Sequence, residues 1–475
     1  LKYIERTDES AQLTSFAGLK KAGIVVVYGR RRTGKTTLIE RTFSSRNIIK
    51  FEGVQNESEA FQISNFIHSL RKYFSAPLLS RLNPRTWLEA FEILAEFVST
   101  GTWTVYLEEL QWMADYKPAL ISHLKHVWDN HFSKNNDLLL VLCGSAPSFF
   151  ETNVIRSQAL YNRSMLSINL PPFSPREARA FLPRHSLRTF FDAFLTVGGI
   201  PVYLERLATD LSVVKSLAEQ SFKKDSFFSI EFEKVFVSTF SDVPGYRKII
   251  EHIGKKGSST RDGILKHLQA ESSGMVSKYL LDLELSGFIE KITPISAKGE
   301  SSKLAIYKMR DPYLHFYYAF IRPKLKAIGQ SIYQRNPLSA MDLKTFNSWL
   351  GFSFERFCRG NPAIFAQILG FSGIQYNAGA LYNRAALNAG SGYQFDLVFQ
   401  RADKVLTLCE IKYLERPVGT SVIEDFERKV DKLNISNRTT LQRVLITGGE
   451  VSKELIERHY FDRIITLAEI LEGAR

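Results

Sequence analysis

Residues 24–37 read Ile-Val-Val-Val-Tyr-Gly-Arg-Arg-Arg-Thr-Gly-Lys-Thr-Thr. Few stretches constrain a fold more tightly. Ile24 to Val27 is a β-branched run of the kind found in buried parallel strands. Gly29 opens a turn, and Gly34, Lys35 and Thr36 complete the spacing G-x-x-x-x-G-K-[ST]. Thr37, Leu38 and Ile39 begin a helix. Glycines let main-chain N–H groups curl around phosphate oxygens, and the helix N-terminus adds a positive dipole. Lys35 can reach β- and γ-phosphates, and the Thr36 hydroxyl can bind Mg²⁺. Gly29, Arg30, Arg31, Arg32, Thr33, Gly34, Lys35, Thr36 and Thr37 therefore form a candidate cradle for ATP or GTP.

Such a cradle needs a carboxylate for Mg²⁺ and a group to polarise water at the tip of a neighbouring strand. Thr104-Val-Tyr-Leu-Glu108-Glu109 offers both. Glu108 is the candidate Mg²⁺ carboxylate and Glu109 the candidate water-orienting residue; the bland reading is an exposed acidic strand end. Leu138 to Leu142 leads into Cys143-Gly144-Ser145, which places Ser145 where a γ-phosphate could be sensed. Arg163 could neutralise transition-state charge, in cis or from a neighbour, or could serve only in a structural salt bridge.

At 475 residues the chain is too long for one ordinary core, so two to four domains are expected. The formal net charge of +13 favours a polyanionic partner such as nucleic acid or an anionic membrane surface. Cys143, Cys358 and Cys409 are far apart and form no CxxC pair, which suits a reducing cytosol. No apolar stretch reaches the roughly 18 residues a bilayer demands, and no signal peptide is visible. No Cys/His zinc spacing and no nucleophile elbow occur.

Strand and helix patterns alternate from about residue 22 to 170. Strands are expected at Thr104 to Leu107, Leu138 to Leu142 and Ile168 to Leu170, and helices at Glu59 to Phe74 and Trp87 to Val98. This is an α/β domain of the doubly wound kind. Helices follow from Ser174-Pro175-Arg176-Glu177, an N-cap with proline at the first position. From about Val243 to Pro323 the pattern gives helices at Arg247 to Ile253, Gly263 to Leu268 (opened by a box at Ser259 to Asp262) and Met275 to Leu285. Strands at Phe288 to Ile292 and Leu304 to Met309 flank a polar loop. Three helices and a two-stranded wing predict a winged helix. Its third helix carries Lys278 and Tyr279 but also Asp282 and Glu284, so a structural role competes with DNA reading. Pro323 to Leu338 reads as a connector.

Several motifs recur in one order: Glu5-Arg6, the loop with its three arginines, Leu107-Glu108-Glu109-Leu110-Gln111, Cys143-Gly144-Ser145, Leu160-Tyr161-Asn162-Arg163, and Gly198-Gly199-Ile200-Pro201-Val202-Tyr203-Leu204. This order resembles the archaeal-type ATPases, an AAA+/STAND-related P-loop group, over about residues 1–320, including Asp311 to Phe320. The resemblance implies ATP rather than GTP and puts Pro201 beside the adenine. Two departures stand out: Glu108 where that group has aspartate, and Asn162 where it has glycine.

The same group often carries a C-terminal domain similar to PD-(D/E)XK nucleases. Asp396 lies in the run Gln394 to Val398, and Glu410-Ile411-Lys412 ends the next strand-like run. Asp396 and Glu410 at adjacent strand ends can share a divalent metal, Glu355 could complete its shell, and Lys412 falls on the same face as Glu410. A second E-x-K triplet, Glu427-Arg428-Lys429, sits on a helical pattern. The alternatives are a degenerate domain that kept its fold for binding, or an ordinary ion pair of Glu410 with Lys412.

The expected organisation is an α/β chain: a P-loop ATPase core at 1–172, a helical lid at 173–242, a winged helix at 243–323, a linker at 324–340 and a restriction-endonuclease-like α/β domain at 341–475. The expected function is ATP binding and hydrolysis with Mg²⁺, directed at DNA, with a metal-dependent nuclease domain. The alternative is a nucleotide-dependent switch whose nuclease-like domain binds protein or DNA without cutting. A cytoplasmic location without membrane attachment follows from the same readings, and a homo-oligomer or protein partner is compatible with them.

Overall fold

The structure is a computed structural model that describes residues 4–74, 79, 81–157, 160, 163, 165–240, 243–269, 273–293, 305–382, 393–433 and 438–474. The chain divides into two compact units. The first comprises Leu1–Pro172, Glu233–Tyr246 and Ser277–Gly287, and the second Phe173–Phe232, Arg247–Val276 and Phe288–Arg475.

The first unit is built on five parallel strands: β1 (Gly23–Tyr28), β2 (Asn47–Glu52), β3 (Trp103–Glu108), β4 (Leu138–Gly144) and β5 (Met165–Asn169), in the order β2-β3-β4-β1-β5. Every residue of β1 and β4 is buried. Successive side chains go to opposite faces. Ile24, Val26 and Tyr28 join one core with Phe66, Phe91 and Leu124 from the helices Glu59–Tyr73, Trp87–Phe97 and Ala119–Asn130. Val25 and Val27 join the other core with Leu38 and Ile39 of the helix Lys35–Thr42. This two-sided burial explains why the strand reads as unbroken Ile and Val rather than as an alternation. The expected strands are present, β5 ending at Asn169 rather than Leu170. Strand β2 was not expected, because half of Asn-Ile-Ile-Lys-Phe-Glu faces outward at the sheet edge.

In the second unit, Ser174 caps the short helix Pro175–Ala178 through a complete capping box with Glu177. Helices Leu187–Val197, Pro201–Leu207 and Val213–Phe222 follow. The second sheet contains β9 (Tyr376–Tyr382), β10 (Gln394–Arg401), β11 (Val405–Lys412), β12 (Thr440–Thr447) and β13 (Arg463–Ile465) in sequential order. Its first three strands are antiparallel and its last three parallel. The helix Leu343–Gly360 carries Glu355. The helix Ser421–Val430 joins β11 to β12. Helix Leu187–Val197 is fastened to this sheet. Arg188 lies 3.4 Å over the Tyr413 ring and donates to the carbonyls of Leu414 and Gly448, both at 2.9 Å. The Tyr413 hydroxyl donates to Asp192 at 2.7 Å.

Residues 244–309 form the helices Pro244–Lys256, Arg261–Leu268 and Ser273–Leu285, and the strands β7 (Ile289–Ile292) and β8 (Ile306–Met309), in the order the sequence implied. A third strand, β6 (Ser258–Thr260), pairs antiparallel with β8. The cap of the second helix is Thr260, whose hydroxyl accepts from the Gly263 N–H at 3.1 Å, not Ser259, whose hydroxyl turns to His252. Leu304 and the polar loop lie outside the described residues. Asp282 is buried and takes the Tyr246 hydroxyl, so this acid does not face solvent on the third helix. The expected connector contains a helix at Leu325–Gly329 and a helical turn at Pro337–Ala340 with Pro337 and Ala340 buried. Among the described residues no helix is long and apolar enough to cross a membrane.

Leu140 sits mid-strand in β4 with its side chain buried in the first core. Leu140→Ala should cost about 2–5 kcal/mol, seen as a fall in the thermal midpoint of the first unit's unfolding by circular dichroism.

Candidate functional site

The loop between β1 and the helix Lys35–Thr42 is shaped by three left-handed residues, Gly29 (φ 138°), Arg32 (φ 69°) and Gly34 (φ 91°). A Cβ on Gly29 would lie 2.6 Å from the Leu170 carbonyl, so only glycine lets the loop leave β1 against the end of β5. A Cβ on Gly34 would meet nothing within 4 Å, so the space beside the loop is open there. Buried Arg6 supports the loop from behind, donating to the carbonyls of Thr33 (3.2 Å) and Pro171 (2.8 Å). Thr33 closes the turn through the Arg30 carbonyl at 3.0 Å. The Lys35 ammonium is buried and donates to the carbonyls of Gly29 (3.1 Å) and Arg30 (2.8 Å). Burial pulls its pKa down, with the acids Glu109 and Glu108 opposing. Thr37 is exposed on the first helical turn, and Arg31 lies 5.6 Å from the Trp112 ring centroid.

Strand β4 separates β1 from β3, and β3 ends at Glu108. The Glu108 carboxylate accepts from the Thr36 hydroxyl, from the Tyr106 hydroxyl at 2.9 Å and from the Lys50 ammonium at 2.6 Å. Lys50 also pairs with Glu40 at 3.0 Å. The methylene that distinguishes glutamate from aspartate is thus absorbed without losing contact with Thr36. Glu109 adopts a left-handed conformation (φ 51°) that turns its side chain toward β4. There it accepts from the Ser145 hydroxyl (2.7 Å), the Ser145 N–H (3.1 Å) and the Gln111 amide (2.6 Å). A Cβ on Gly144 would lie 2.1 Å from the Gln111 side-chain oxygen, so glycine keeps this corner tight.

Lys35, Thr36, Glu108, Glu109 and Ser145 are therefore brought together. Sequence reasoning missed Arg6, Lys50, Tyr106 and Gln111 as partners. Two of them had a legible signal: Lys50 and Tyr106 alternate correctly with Glu52 and Glu108 once β2 is recognised. Arg163 forms a two-pronged pair with Asp129 at 2.9 and 2.7 Å, the structural salt bridge weighed above. Tyr161 and Asn162 lie outside the described residues. Pro201 occupies the first position of helix Pro201–Leu207 in the second unit. Just before it, Gly199 packs so closely that a Cβ would lie 1.9 Å from the Phe173 carbonyl.

These residues fit a nucleoside triphosphate with Mg²⁺. The open space beside Gly34, a buried ammonium on loop carbonyls, and a hydroxyl and carboxylate already in contact supply phosphate donors and hard oxygen ligands.

The C-terminal candidates are arranged differently. Asp396 on β10 and Glu410 on β11 are neighbours, since Leu397 pairs with Cys409. Burial and the nearby Glu410 raise the Asp396 pKa; burial and Asp396 raise that of Glu355. Each carboxylate is nonetheless met by a cation. Arg359 lies 3.5 Å from Glu355 and 3.9 Å from Asp396, and Glu410 is bound by Lys412 (2.9 Å) and Lys429 (2.7 Å). Among the described residues no three His, Cys, Asp or Glu side chains are grouped to hold a metal ion. In this arrangement each acid of the expected metal set Glu355, Asp396 and Glu410 is paired with a cation.

Residues 3–207 match the sequence profile of an ATPase domain predominantly from Archaea. The matched span contains every nucleotide-site candidate from Gly29 to Pro201. An uncharacterized protein of Methanocaldococcus jannaschii is 26% identical over 355 residues, covering 74% of this chain and 76% of that protein. Among solved structures, a Walker-type ATPase of Pyrococcus abyssi is 16% identical, covering 67% of this chain and 96% of its own, with a TM-score of 0.48. The ORC2 protein of Aeropyrum pernix, solved as ADPNP–ADP complexes, is 15% identical over 70% of this chain and 96% of its own, TM-score 0.40. The ORC1 protein of the same organism, solved with DNA, is 13% identical over 70% and 94%, TM-score 0.38.

All three cysteines are buried. Burial beside Glu108 and Glu109 raises the Cys143 thiol to about 12, and burial also raises those of Cys358 and Cys409. A raised thiol pKa leaves almost no thiolate at pH 8. The folded protein should therefore be inert to a water-soluble aromatic disulfide reagent at that pH, whereas the denatured chain should release the signal of three thiols.

Proposed function

We propose that this chain is an ATP-binding and ATP-hydrolysing protein that uses Mg²⁺ and acts as a nucleotide-driven switch on nucleic acid. The observation that carries the ATPase part is the contact of Thr36 with Glu108 beside the buried Lys35 and the open face of Gly34. The archaeal ATPase profile over residues 3–207 supports the same reading.

The main-chain loop and Lys35 bind the phosphates, and the Lys35 ammonium exchanges loop carbonyls for phosphate oxygens. When bound, Mg²⁺ would neutralise charge on the phosphates. Thr36 and Glu108 are the residues that would hold it, with Tyr106 and Lys50 fixing the carboxylate. Glu109 orients and deprotonates the attacking water. Its present partners, Ser145 and Gln111, report the γ-phosphate position by holding or releasing that carboxylate. Arg163 contributes charge only if it leaves Asp129. The helices and strands between Pro244 and Met309 are read as a winged helix.

Nucleic acid is favoured by the charge of +13. For the C-terminal domain, the pairing of Glu355, Asp396 and Glu410 with Arg359, Lys412 and Lys429 favours gripping over cutting.

Release of phosphate from ATP tests this directly. Wild type should hydrolyse ATP only with a divalent cation. Glu109→Gln should lower the rate about 100-fold or more while still binding ATP. Equal hydrolysis by wild type and Glu109→Gln would remove Glu109 from the mechanism, and no hydrolysis by wild type would remove the ATPase reading.

A further inference from the structure

We propose that a cavity beside the phosphate loop takes a small organic cation, an amine or guanidinium on an apolar stem, and that its occupancy tunes the nucleotide site. The cavity has a volume of about 440 Å³, and every residue lining it belongs to the first unit. Uptake of the cation stands on the cavity alone; the tuning rests on the ATPase reading above.

Two segments supply most of the wall, one from Asn56 to Glu59 and one from Trp112 to Leu120. The buried Gln62 amide ties them together. Its oxygen accepts from the Val54 N–H at 3.0 Å, and its nitrogen donates to the carbonyls of Val54 (2.5 Å) and Trp112 (3.3 Å). Asp115 (φ 46°) and Tyr116 (φ 56°) are both left-handed, a conformation that a bulky residue such as tyrosine adopts only when its surroundings impose it. Here the Gln111 carbonyl holds the Tyr116 N–H at 2.9 Å. The walls are thus fixed before any ligand arrives, which spares part of the ordering cost of binding.

The lining selects the ligand. Trp87, Trp112 and Leu120 give it apolar surface, and Tyr116 is a partly exposed ring at the same cavity. Glu57, Glu59 and Asp115 set three carboxylates against the single ammonium of Lys117, which is already paired with Asp115 at 2.5 Å. Glu59 complements the N-terminus of its own helix, Glu59–Tyr73, whereas Glu57, ahead of the Ser58 cap, and Asp115 lie outside any helix. A net negative lining in a chain of net charge +13 disfavours phosphates here and favours a cation. Aromatic faces add their own attraction for an ammonium or guanidinium. The volume falls within the range of about 300–1,000 Å³ typical of small-molecule sites.

Trp112 belongs to both sites. Arg31 of the phosphate loop lies 5.6 Å from its ring centroid, and the Trp112 N–H donates to the Glu109 carbonyl at 2.9 Å. Across the cavity, the segment that Gln62 anchors begins at Gly53, whose N–H donates to the Glu108 carbonyl at 2.9 Å. A second cation at Trp112 repels the Arg31 guanidinium. That frees Arg31 for the phosphates and raises the affinity for ATP.

The test uses three probes of nearly equal shape: phenethylamine, phenethyl alcohol and 3-phenylpropionate. They are titrated into the full chain without nucleotide and followed by ligand-observed NMR. The amine should bind saturably, about tenfold or more tighter than the alcohol or the carboxylate. The double variant Glu57→Gln with Asp115→Asn removes two exposed charges and keeps their shape. Its thermal midpoint should match wild type while its affinity for the amine falls about tenfold. Saturating amine should raise ATP affinity about fivefold, and saturating ATP should raise amine affinity by the same factor. No saturable amine binding, equal affinity for the three probes, or unchanged amine affinity in the double variant would overturn the cavity site. Binding of amine and ATP together without mutual effect would overturn the tuning. Amine binding by a chain that takes no ATP would uphold the cavity and refute the ATPase reading; ATP binding by a chain that takes no amine would do the reverse.

Discussion

The contact between Thr36 and Glu108 is the constraint on which the candidate nucleotide site depends. It ties the first turn of the helix after the loop to the tip of a strand two positions away in the sheet. It exists only because β1, β4 and β3 are parallel, buried and in register, with β4 wedged between the other two. The rest of the site is built outward from this pair. Tyr106 and Lys50 hold Glu108 from the far side, and Lys35 lies against the loop carbonyls next to it. Glu109, the next residue, turns the opposite way toward Ser145. One strand end therefore presents two carboxylates with separate partners.

Much of this was legible because the physics is local. A loop that must wrap phosphate needs glycine where φ is positive, and Gly29 and Gly34 stand there. A strand buried on both faces has no reason to alternate, and Ile24 to Val27 does not. The helix carrying Glu355 and the strands carrying Asp396 and Glu410 were visible for the same reason: their periodicity reports their own burial. What stayed hidden depends on residues distant in sequence. Arg6 supports a loop 27 residues away, Gln111 joins Glu109 to Ser145, and Lys50 reaches Glu108 from an edge strand whose half-exposed pattern is weak. The shift of the cap from Ser259 to Thr260 has a similar origin: His252 claims the serine hydroxyl.

The C-terminal domain shows why a motif does not settle a mechanism. Spacing correctly placed Lys412 beside Glu410 and Asp396 one strand away. Spacing could not reveal that Lys429 and Arg359 would meet the same acids. Those cations neutralise the acids in this arrangement. The fastening of helix Leu187–Val197 to this domain through Arg188, Asp192 and Tyr413 is also a tertiary matter. It places the segment leading to Gly198 and Pro201 in one compact unit with Glu410 and Lys412.

The proposed nucleotide chemistry requires that a triphosphate be held by the loop and by Lys35. Isothermal titration of ATP with Mg²⁺ into wild type and Lys35→Ala tests it most directly. Wild type should give a one-to-one binding heat that is lost in Lys35→Ala, with both proteins melting alike. Absence of heat in wild type, or an equal affinity in Lys35→Ala, would contradict it.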